Sequence, residues 1–357
     1  MAATRINPLS NPKGVKLSCE LCAKPAYTQC KDCRVTFYCG KEHQSVDARG
    51  IHAKICQLLV PLRIPISVLG SEEERAQREQ LTRSRQLHLL QITRTEAHRL
   101  LFEGQYDLAI PAALQALRFS MDVSGANSID LVPSYLLLGK ASIGLKQYKQ
   151  AEGYLSQANW AILKAESCED TVRSQLHRNF GLLYASQGQY DKALGQLAQD
   201  IYYISLSKGP EHISATGGYF QLGTVFQNLG RIEHATGVFD KVVHIWKAAL
   251  KTPDSHLDVV QMAEAVQMLT FIHAFRTSYM SASTLATEVL YVLAQVYHAS
   301  SQMDKAKDFA SKALHAYEAA LGRDHTLSTE TRMFLRNLLG ELPSIRKPRA
   351  LTSSRPS

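Results

Sequence analysis

The sequence predicts a mainly α-helical protein, in which a small two-zinc finger precedes an α-solenoid of helical repeats. Six of the seven cysteines lie between Cys19 and Cys56, and a short motif recurs farther along with a period of 42 residues. Hydrophobic residues make up 45% and charged residues 20% of the chain, which is typical of globular proteins. At 357 residues the chain exceeds what one core usually holds, so more than one folded part is expected.

The formal net charge of +8 is concentrated near the two ends. Residues 1–18 contain three basic residues and no acidic one, and residues 344–357 contain four basic residues and no acidic one. Because the long middle offers no basic face to a phosphate backbone, nucleic-acid binding is not expected. No apolar run is long enough to cross a membrane, and residues 1–16 lack the apolar core of a secretory signal. We therefore expect an intracellular protein that does not bind membranes.

Eight potential metal ligands follow one another at short spacings near the N-terminus. Two C-x2-C pairs come first, and a Cys–His pair and a His–Cys pair follow. The ligands are Cys19, Cys22, Cys30, Cys33, Cys39, His43, His52 and Cys56. Thiolate and imidazole donors favour zinc, and eight of them fill two tetrahedral sites without leaving a position for water. We predict two structural zinc ions without a catalytic role.

The metal is expected to supply the folding free energy of this segment, because residues 19–56 contain few large apolar side chains. The pairs Cys39 with His43 and His52 with Cys56 have i and i+4 spacing, which places each pair on one face of a helical turn. We expect Cys30→Ser to unfold the finger and to leave the helical array largely intact.

The stretch 37–44 and the last two ligands resemble the second half of a MYND-type zinc finger, and both C-x2-C pairs match its first half. The resemblance implies a cross-brace, with Cys19, Cys22, Cys39 and His43 on one ion and Cys30, Cys33, His52 and Cys56 on the other. His43 stands where the family usually has cysteine. Ala48 stands where a tryptophan commonly helps to bind proline-containing peptides, although Gln44 is kept. The resemblance thus leaves proline-peptide binding open.

Composition and helix signals predict the boundaries between segments. These are a disordered N-terminus (1–18), the finger (19–56), a linker interrupted by prolines and glycine (57–70), the helical array (71–342) and a disordered basic tail (343–357). Ser71 and Glu74 form an S-x-x-E capping box, which predicts a long helix that continues to about Leu101.

The repeated motif ends each time in an alanine that begins a helical pattern. Four of these alanines are 42 residues apart and a fifth copy follows: Ala109, Ala151, Ala193, Ala235 and Ala306. Each copy contains two helical apolar patterns around a short turn, with small residues such as Gly181 where two helices must approach closely. The last interval is longer, so residues 258–284 are expected to hold a degenerate repeat or an unpaired helix. Residues 326–339 are predicted to form a closing helix.

This pattern resembles the tetratricopeptide repeat in a long form, similar to the repeats of kinesin light chains. The resemblance implies about five repeats whose first helices line a concave protein-binding groove. The residues at the positions that usually face inward are Arg94, His98, Lys140, Arg178, Gln221, Thr224 and Gln227. The basic members would suit an acidic segment. The alternative is that these cations only form a solvated surface.

The two resemblances together imply a non-catalytic scaffold or adaptor in the cytoplasm, specifically in the cilium or the sperm flagellum. The implied partners are another tetratricopeptide-repeat protein or axonemal and dynein components. One alternative is a chaperone-linked adaptor, although Arg94 and His98 stand where such a clamp needs Lys and Asn. Another is a nuclear adaptor. A lysine methyltransferase would need a SET domain, whose Asn-His-Ser-Cys type of motif does not occur in the sequence, and no enzyme is predicted.

Overall fold

The computed structural model describes residues 3–6, 16–64, 71–251, 257–279 and 284–340. The chain divides into two compact units, Met1–Leu229 and Gly230–Ser357. The first unit contains the finger and seven long helices, and the second contains the remaining described helices. Within the described ranges, no helix is both long and apolar enough to cross a bilayer.

The finger consists of a small antiparallel sheet followed by a continuous helical segment. Its elements are β1 (Ala3–Arg5), β2 (Thr28–Cys30), β3 (Phe37–Tyr38), α1 (Lys41–Asp47), a π-helical turn (Ala48–His52) and α2 (Ala53–Arg63). Strand β2 lies between the other two strands. The π-helical turn inserts extra backbone between α1 and α2 without ending the helix.

Strand β1 corrects the prediction that residues 1–18 are disordered throughout. Ala3 pairs with Cys30 in antiparallel register, and the Ile6 N–H donates to the Tyr27 carbonyl at 3.0 Å. Without β1, one edge of β2 would present unpaired backbone donors and acceptors, and this pairing edge is not apparent in the sequence.

Helix α2 continues into the segment that was predicted as a linker, residues 57–70. Pro61 lies in the last turn of α2 and does not end it. The carbonyl that its missing N–H would have bonded belongs to Gln57, an exposed residue whose carbonyl can bond to water. Arg63 holds the same turn, because it donates to the Val35 carbonyl at 3.1 Å and pairs with Glu20. Residues 65–70 and the predicted tail 343–357 lie outside the described residues.

The repeat helices of the first unit form antiparallel hairpins. They are α3 (Glu72–Phe102), α4 (Tyr106–Ser124), α5 (Val132–Gly144), α6 (Tyr148–Lys164), α7 (Asp170–Ser186), α8 (Tyr190–Lys208) and α9 (Thr216–Asn228). Helix α3 packs on α4, α5 on α6 and α7 on α8. A short 3-10 turn precedes α5 (Ile129–Leu131) and another precedes α9 (Ile213–Ala215).

Two local predictions for these helices are confirmed. The Ser71 hydroxyl accepts from the Glu74 N–H at 3.1 Å, and the Glu74 carboxylate accepts from the Ser71 N–H at 3.3 Å, which completes the capping box. A Cβ at Gly181 of α7 would lie 2.7 Å from the Leu197 side chain of α8. An alanine here would force the Leu197 side chain to shift, so glycine suits this contact between α7 and α8.

The second unit contains α10 (Ile232–Ala249), α11 (Val259–Tyr279), α12 (Thr284–Ala299), α13 (Met303–Leu321) and α14 (Thr326–Leu339). Helices α12 and α13 form a hairpin, and α14 packs on α13 over the residues predicted for the closing helix. Within the irregular interval, α11 is one helix rather than a further hairpin. It packs on α12, and its Phe275 ring lies 4.9 Å from that of Phe239 in α10.

The period of the sequence appears directly in the backbone. In each repeat, the motif alanine is the fourth residue of the second helix and has no exposed surface: Ala109, Ala151, Ala193, Ala235 and Ala306. The turn before each of these helices contains one residue with positive φ: Gly104, Lys146, Gly188, Gly230 and Ser301. The shared geometry confirms that the five segments are copies of one structural repeat.

Candidate metal centres and repeat groove

The structure brings together the first predicted ligand set, Cys19, Cys22, Cys39 and His43. Their donor atoms all lie within 4.8 Å of one another. The His43 Nδ1 lies 3.3 Å from the Cys39 Sγ and 3.4 Å from the Cys19 Sγ. His43 is part of α1, whereas Cys39 precedes the N-cap residue Gly40. Contrary to the prediction, this pair therefore does not share one helical turn.

The second predicted set, Cys30, Cys33, His52 and Cys56, is also brought together, and all four side chains are buried. The Cys30 and Cys56 sulfurs are 3.9 Å apart, and the His52 Nε2 lies 3.7 Å from the Cys33 Sγ. His52 and Cys56 do lie on one helical segment, where the π-helical turn runs into α2. The buried Asp47 lies on the other side of the imidazole, 3.9 Å from the His52 Nδ1, as carboxylates commonly do beside metal-bound histidines.

The protonation of the cysteines fits a dication at each centre. Burial would raise the pKa of Cys19, but hydrogen bonds from backbone N–H groups and from His43 outweigh it and lower that pKa to about 6. In the second centre burial raises the pKa of Cys56 to about 12, and the neighbouring thiols of Cys33 and Cys30 add to the increase. Several thiolates therefore repel one another unless a cation lies among them. Two structural zinc ions, each held by three thiolates and one imidazole, meet this requirement.

The finger shares one hydrophobic core with the first repeats. Ile51, Ile55 and Leu59 are fully buried, and they belong to a single apolar cluster with the buried face of α3 and α4. That cluster includes Leu89, Leu100, Ala109, Ala112, Ala116 and Leu138. At the edge of this contact, Lys54 of α2 pairs with the buried Glu96 of α3. The finger is therefore packed as the N-terminal cap of the array, and the expectation that it unfolds alone has to be revised.

Gly50 allows the π-helical turn to approach α4. A Cβ at this position would lie 2.6 Å from the Leu108 carbonyl oxygen and 3.1 Å from the Pro111 ring. Both neighbours are rigid, because one is backbone and the other is a proline ring. Any side chain at Gly50 would force the finger and α4 apart.

Glu20, within the first C-x2-C pair, links the finger to the array by an ion pair and a hydrogen bond. Its carboxylate is 8% exposed, pairs with Arg63 and Arg118, and accepts from the Gln115 amide at 2.9 Å. Burial would raise the pKa of Glu20, but the charges of Arg63 and Arg118 outweigh it and hold that pKa below its usual value. The carboxylate thus stays ionised in the folded protein.

We expect Glu20→Gln to lower the free energy of unfolding by about 1–3 kcal/mol near neutral pH, because it removes the charge that two guanidinium groups face. A group with a depressed folded pKa stabilises the fold above its unfolded pKa and loses this effect as pH falls through its folded pKa. The difference between wild type and variant in denaturant titrations should therefore shrink in acid. Since both proteins keep the same zinc ligands, ligand protonation cancels. Glu103→Gln, in an exposed i,i+4 pair with Arg99, should change stability by less than about 0.5 kcal/mol.

The structure turns Gln44 into the interior of the finger. Its side chain is 6% exposed, and the Nε2 has no hydrogen-bond partner among the described residues. Helix α1, which carries Gln44, and the following turn that begins with Ala48 both contact α4. In this fold the Gln44 side chain is therefore not presented to a proline-containing peptide.

The predicted groove residues fall into three groups. Arg94 and Arg178 are engaged between repeats, where the Arg94 Nη2 donates to the Asp130 carbonyl at 2.8 Å and the Arg178 Nη2 donates to the Ser214 carbonyl at 3.0 Å. Arg178 also pairs with the buried Asp200 at 2.8 Å. These arginines therefore fix successive hairpins to each other.

His98 and Lys140 are exposed and lie on the first helices of consecutive repeats, α3 and α5. Although part of the His98 ring is exposed, the surrounding chain partly desolvates the imidazole and lowers its pKa. The charges of Lys140 and Arg94 lower this pKa further, so both cations lie near His98. Gln221, Thr224 and Gln227 are half-buried along α9. The Thr224 hydroxyl donates to the Phe220 carbonyl at 3.0 Å within its own helix.

Comparison with known proteins places one family model on the finger. The model of the MYND finger family matches residues 19–56. The Photosystem I assembly protein Ycf3 of Rippkaea orientalis is 29% identical over 117 residues, a match that covers 30% of this chain and 64% of that relative. The chain thus spans just under two thirds of the length of that curated relative.

Solved structures with a similar backbone include BtubC (BKLC) of P. vanneervenii. Its TM-score is 0.40 at 13% identity, over 75% of this chain and 99% of that one. Another is a putative kinesin light chain with nearly identical TPR-like repeats from Podosopora anserina. Its TM-score is 0.31 at 20% identity, over 53% of this chain and 96% of that one. By its ligand pattern and its repeated helical hairpins, the chain combines a MYND-type zinc finger with helical repeats of the tetratricopeptide type.

Proposed function

We propose that the protein is a non-catalytic adaptor whose repeat surface holds a partner protein. The observation that supports this most directly is the joint core of finger and array, which builds the helix that carries two zinc ligands into the first repeats. Each zinc centre has four protein ligands, so neither ion keeps a position for a substrate or a reactive water. The metals are thus suited to building a binding surface.

The concave side of the first repeats is suited to an acidic segment of the partner. Lys140 and the nearby Arg94 are cationic, and α5 contains no acidic residue. His98 lies beside them and is neutral near pH 7, because its pKa is lowered below the ordinary 6.5. Complementary charge at such a surface mainly sets specificity and association rate. The partner that we favour is another tetratricopeptide-repeat protein or an axonemal or dynein component, in the cilium or sperm flagellum. This assignment rests on the likeness to MYND and repeat proteins with ciliary adaptor roles.

Affinity capture from ciliated cells or testis tests the proposal. We expect wild-type protein and Lys164→Glu to recover the same axonemal or repeat proteins, and Lys140→Glu to recover them about tenfold less, since it reverses a charge in the groove. Lys164 is a matched control, because it is exposed on the second helix of its repeat, over the Trp160 ring at 4.9 Å. Equal recovery with all three proteins would show that the groove does not bind these partners.

The identity of the proteins recovered in this capture experiment also distinguishes the alternative functions. Recovery mainly of chaperones would favour the clamp function, although Arg94, which stands at one of the two clamp positions, is already bonded between repeats. Recovery of chromatin factors would favour a nuclear adaptor. The described residues contain three short strands, all in the finger, so they do not include a β-rich SET domain. Methyl transfer from S-adenosylmethionine by the purified protein would nevertheless overturn the non-catalytic assignment.

A further inference from the structure

The first half of α3 has no buried side chain. No residue of this helix before Leu89 is buried, although the helix begins at Glu72. An isolated helical segment of this length is only marginally stable in water, because nucleation is costly and propagation adds little. Its capping box and charged residues make it soluble but bury nothing. This half of the helix is therefore a surface on which another element can pack.

A groove lies between this surface and α2. Its cavity of about 290 Å³ is lined by Gln57, Leu58, Pro61, Ser84, Arg85, His88 and Leu89. Leu58 is 40% exposed on the α2 side, and Leu81 is 49% exposed one turn earlier on α3. Leu81, Arg85 and His88 have i, i+4 and i+7 spacing, so they share one face of the helix. The groove thus has an apolar strip between two helices, which is the shape that accepts a third helix.

The α3 side of the groove carries positive charge. Arg78 and Arg85 lie on the same face as Leu81, and neither guanidinium is within 4.0 Å of a described carboxylate. Helix α2 contains no Asp or Glu. Glu74 is the acidic residue on this face of α3, one turn before Arg78. An occupant with an acidic flank toward α3 would therefore gain favourable charge contacts beside its apolar strip.

We infer that the α2–α3 groove binds an amphipathic helix of a partner protein, with an apolar stripe and an acidic flank that faces Arg78 and Arg85 of α3. This surface is separate from the concave side of the repeats, because it is formed by the finger's last helix and by the part of α3 that precedes the first repeat's core. The protein would thus hold one partner segment in the repeat groove and another at the finger–array junction.

Two synthetic helical peptides of about 20 residues provide the probe, with identical leucine stripes and either Glu or Lys on the polar face. Fluorescence anisotropy with full-length zinc-loaded protein should show binding of the Glu peptide, weakened by salt and at least about tenfold weaker for the Lys peptide. Leu58→Glu and Arg85→Glu should each weaken binding of the Glu peptide about tenfold. Leu58 and Arg85 are both exposed, so thermal unfolding of these variants should stay unchanged. Leu163→Glu, at a 70% exposed leucine on α6, should leave binding unchanged.

Three outcomes would overturn the inference. The two peptides could bind equally, or Leu58→Glu and Leu81→Glu could both bind the Glu peptide like wild type. Sedimentation could instead show a dimer of the free protein that Leu81→Glu dissociates, which would assign the groove to a second copy of the chain. A loss of peptide binding in the groove variants with unchanged partner capture by the repeat surface would distinguish this site from the proposed function.

Discussion

Cys30→Ser is expected to lose one of the two zinc ions and to destabilise the α3–α4 hairpin together with the finger. The serine removes a ligand from the centre that includes His52 and Cys56, and these two ligands hold the π-helical turn and α2 in place. The same helical segment carries Ile51, Ile55 and Leu59 into the core of the first repeats. When the metal leaves, those side chains lose their fixed position, and the apolar face of α3 and α4 becomes exposed.

The free energy of zinc binding indicates that the loss of stability will be large. Structural zinc binding supplies on the order of 10 kcal/mol in finger peptides, which is comparable to the whole stability of a typical domain. We expect metal analysis to give one zinc per chain in place of two, and thermal unfolding to begin at a clearly lower temperature.

Two cysteine variants serve as controls for this prediction. Cys168→Ser, in the connection between α6 and α7, should keep both ions and the wild-type unfolding curve. Cys22→Ser should also lose one zinc, but it should affect the α3–α4 hairpin less, because the centre on α2 remains. Equal destabilisation of the hairpin by Cys22→Ser and Cys30→Ser would show that the α2 centre has no special role in capping.

Gly50→Ala is expected to lower the free energy of unfolding by about 1–3 kcal/mol, although alanine is the better helix former. The added methyl would lie 2.6 Å from the Leu108 carbonyl oxygen, and neither backbone nor the adjacent Pro111 ring can rotate away. Both zinc centres should remain filled, because Gly50 is not a ligand. Chemical denaturation with parallel zinc analysis measures the two effects separately.

Gly153→Ala is the matched control for the close approach at Gly50. Gly153 lies within α6, and a Cβ there would meet no atom within 4 Å. This variant should be stabilised by about 0.5–1 kcal/mol, since alanine lowers the entropic cost of helix formation. Stabilisation by both alanines would mean that the turn does not press on α4.

Local sequence patterns predicted most of the fold. The eight ligands, the start of α3 at its capping box, the five buried alanines and the closing helix 326–339 all follow from short spacings or from periodicity. Such features depend on neighbours along the chain, so they can be identified without knowing the tertiary contacts. The N-terminal strand and the continuation of α2 past Pro61 were missed because each depends on a contact with a distant segment.

The junction of finger and array could not be predicted in the same way. Glu20 and Gly50 look unremarkable between the ligands, and their roles depend on Arg118 and Leu108, which are far away in sequence. One feature of the sequence did indicate this junction. Ile51, Ile55 and Leu59 form an i, i+4, i+8 apolar stripe that a finger of this size has no interior to bury. That stripe indicates that α2 packs on another part of the chain.

Hydrogen exchange measured on wild type and Cys30→Ser tests most directly whether the zinc-bound finger caps the repeat array. Amides of α3 from Leu89 onward and of α4 should lose most of their protection in the variant, while those of α13 and α14 in the second unit should keep theirs. Unchanged protection in α3 and α4 after loss of the ion would contradict the account, because the finger would then fold and unfold independently of the repeats.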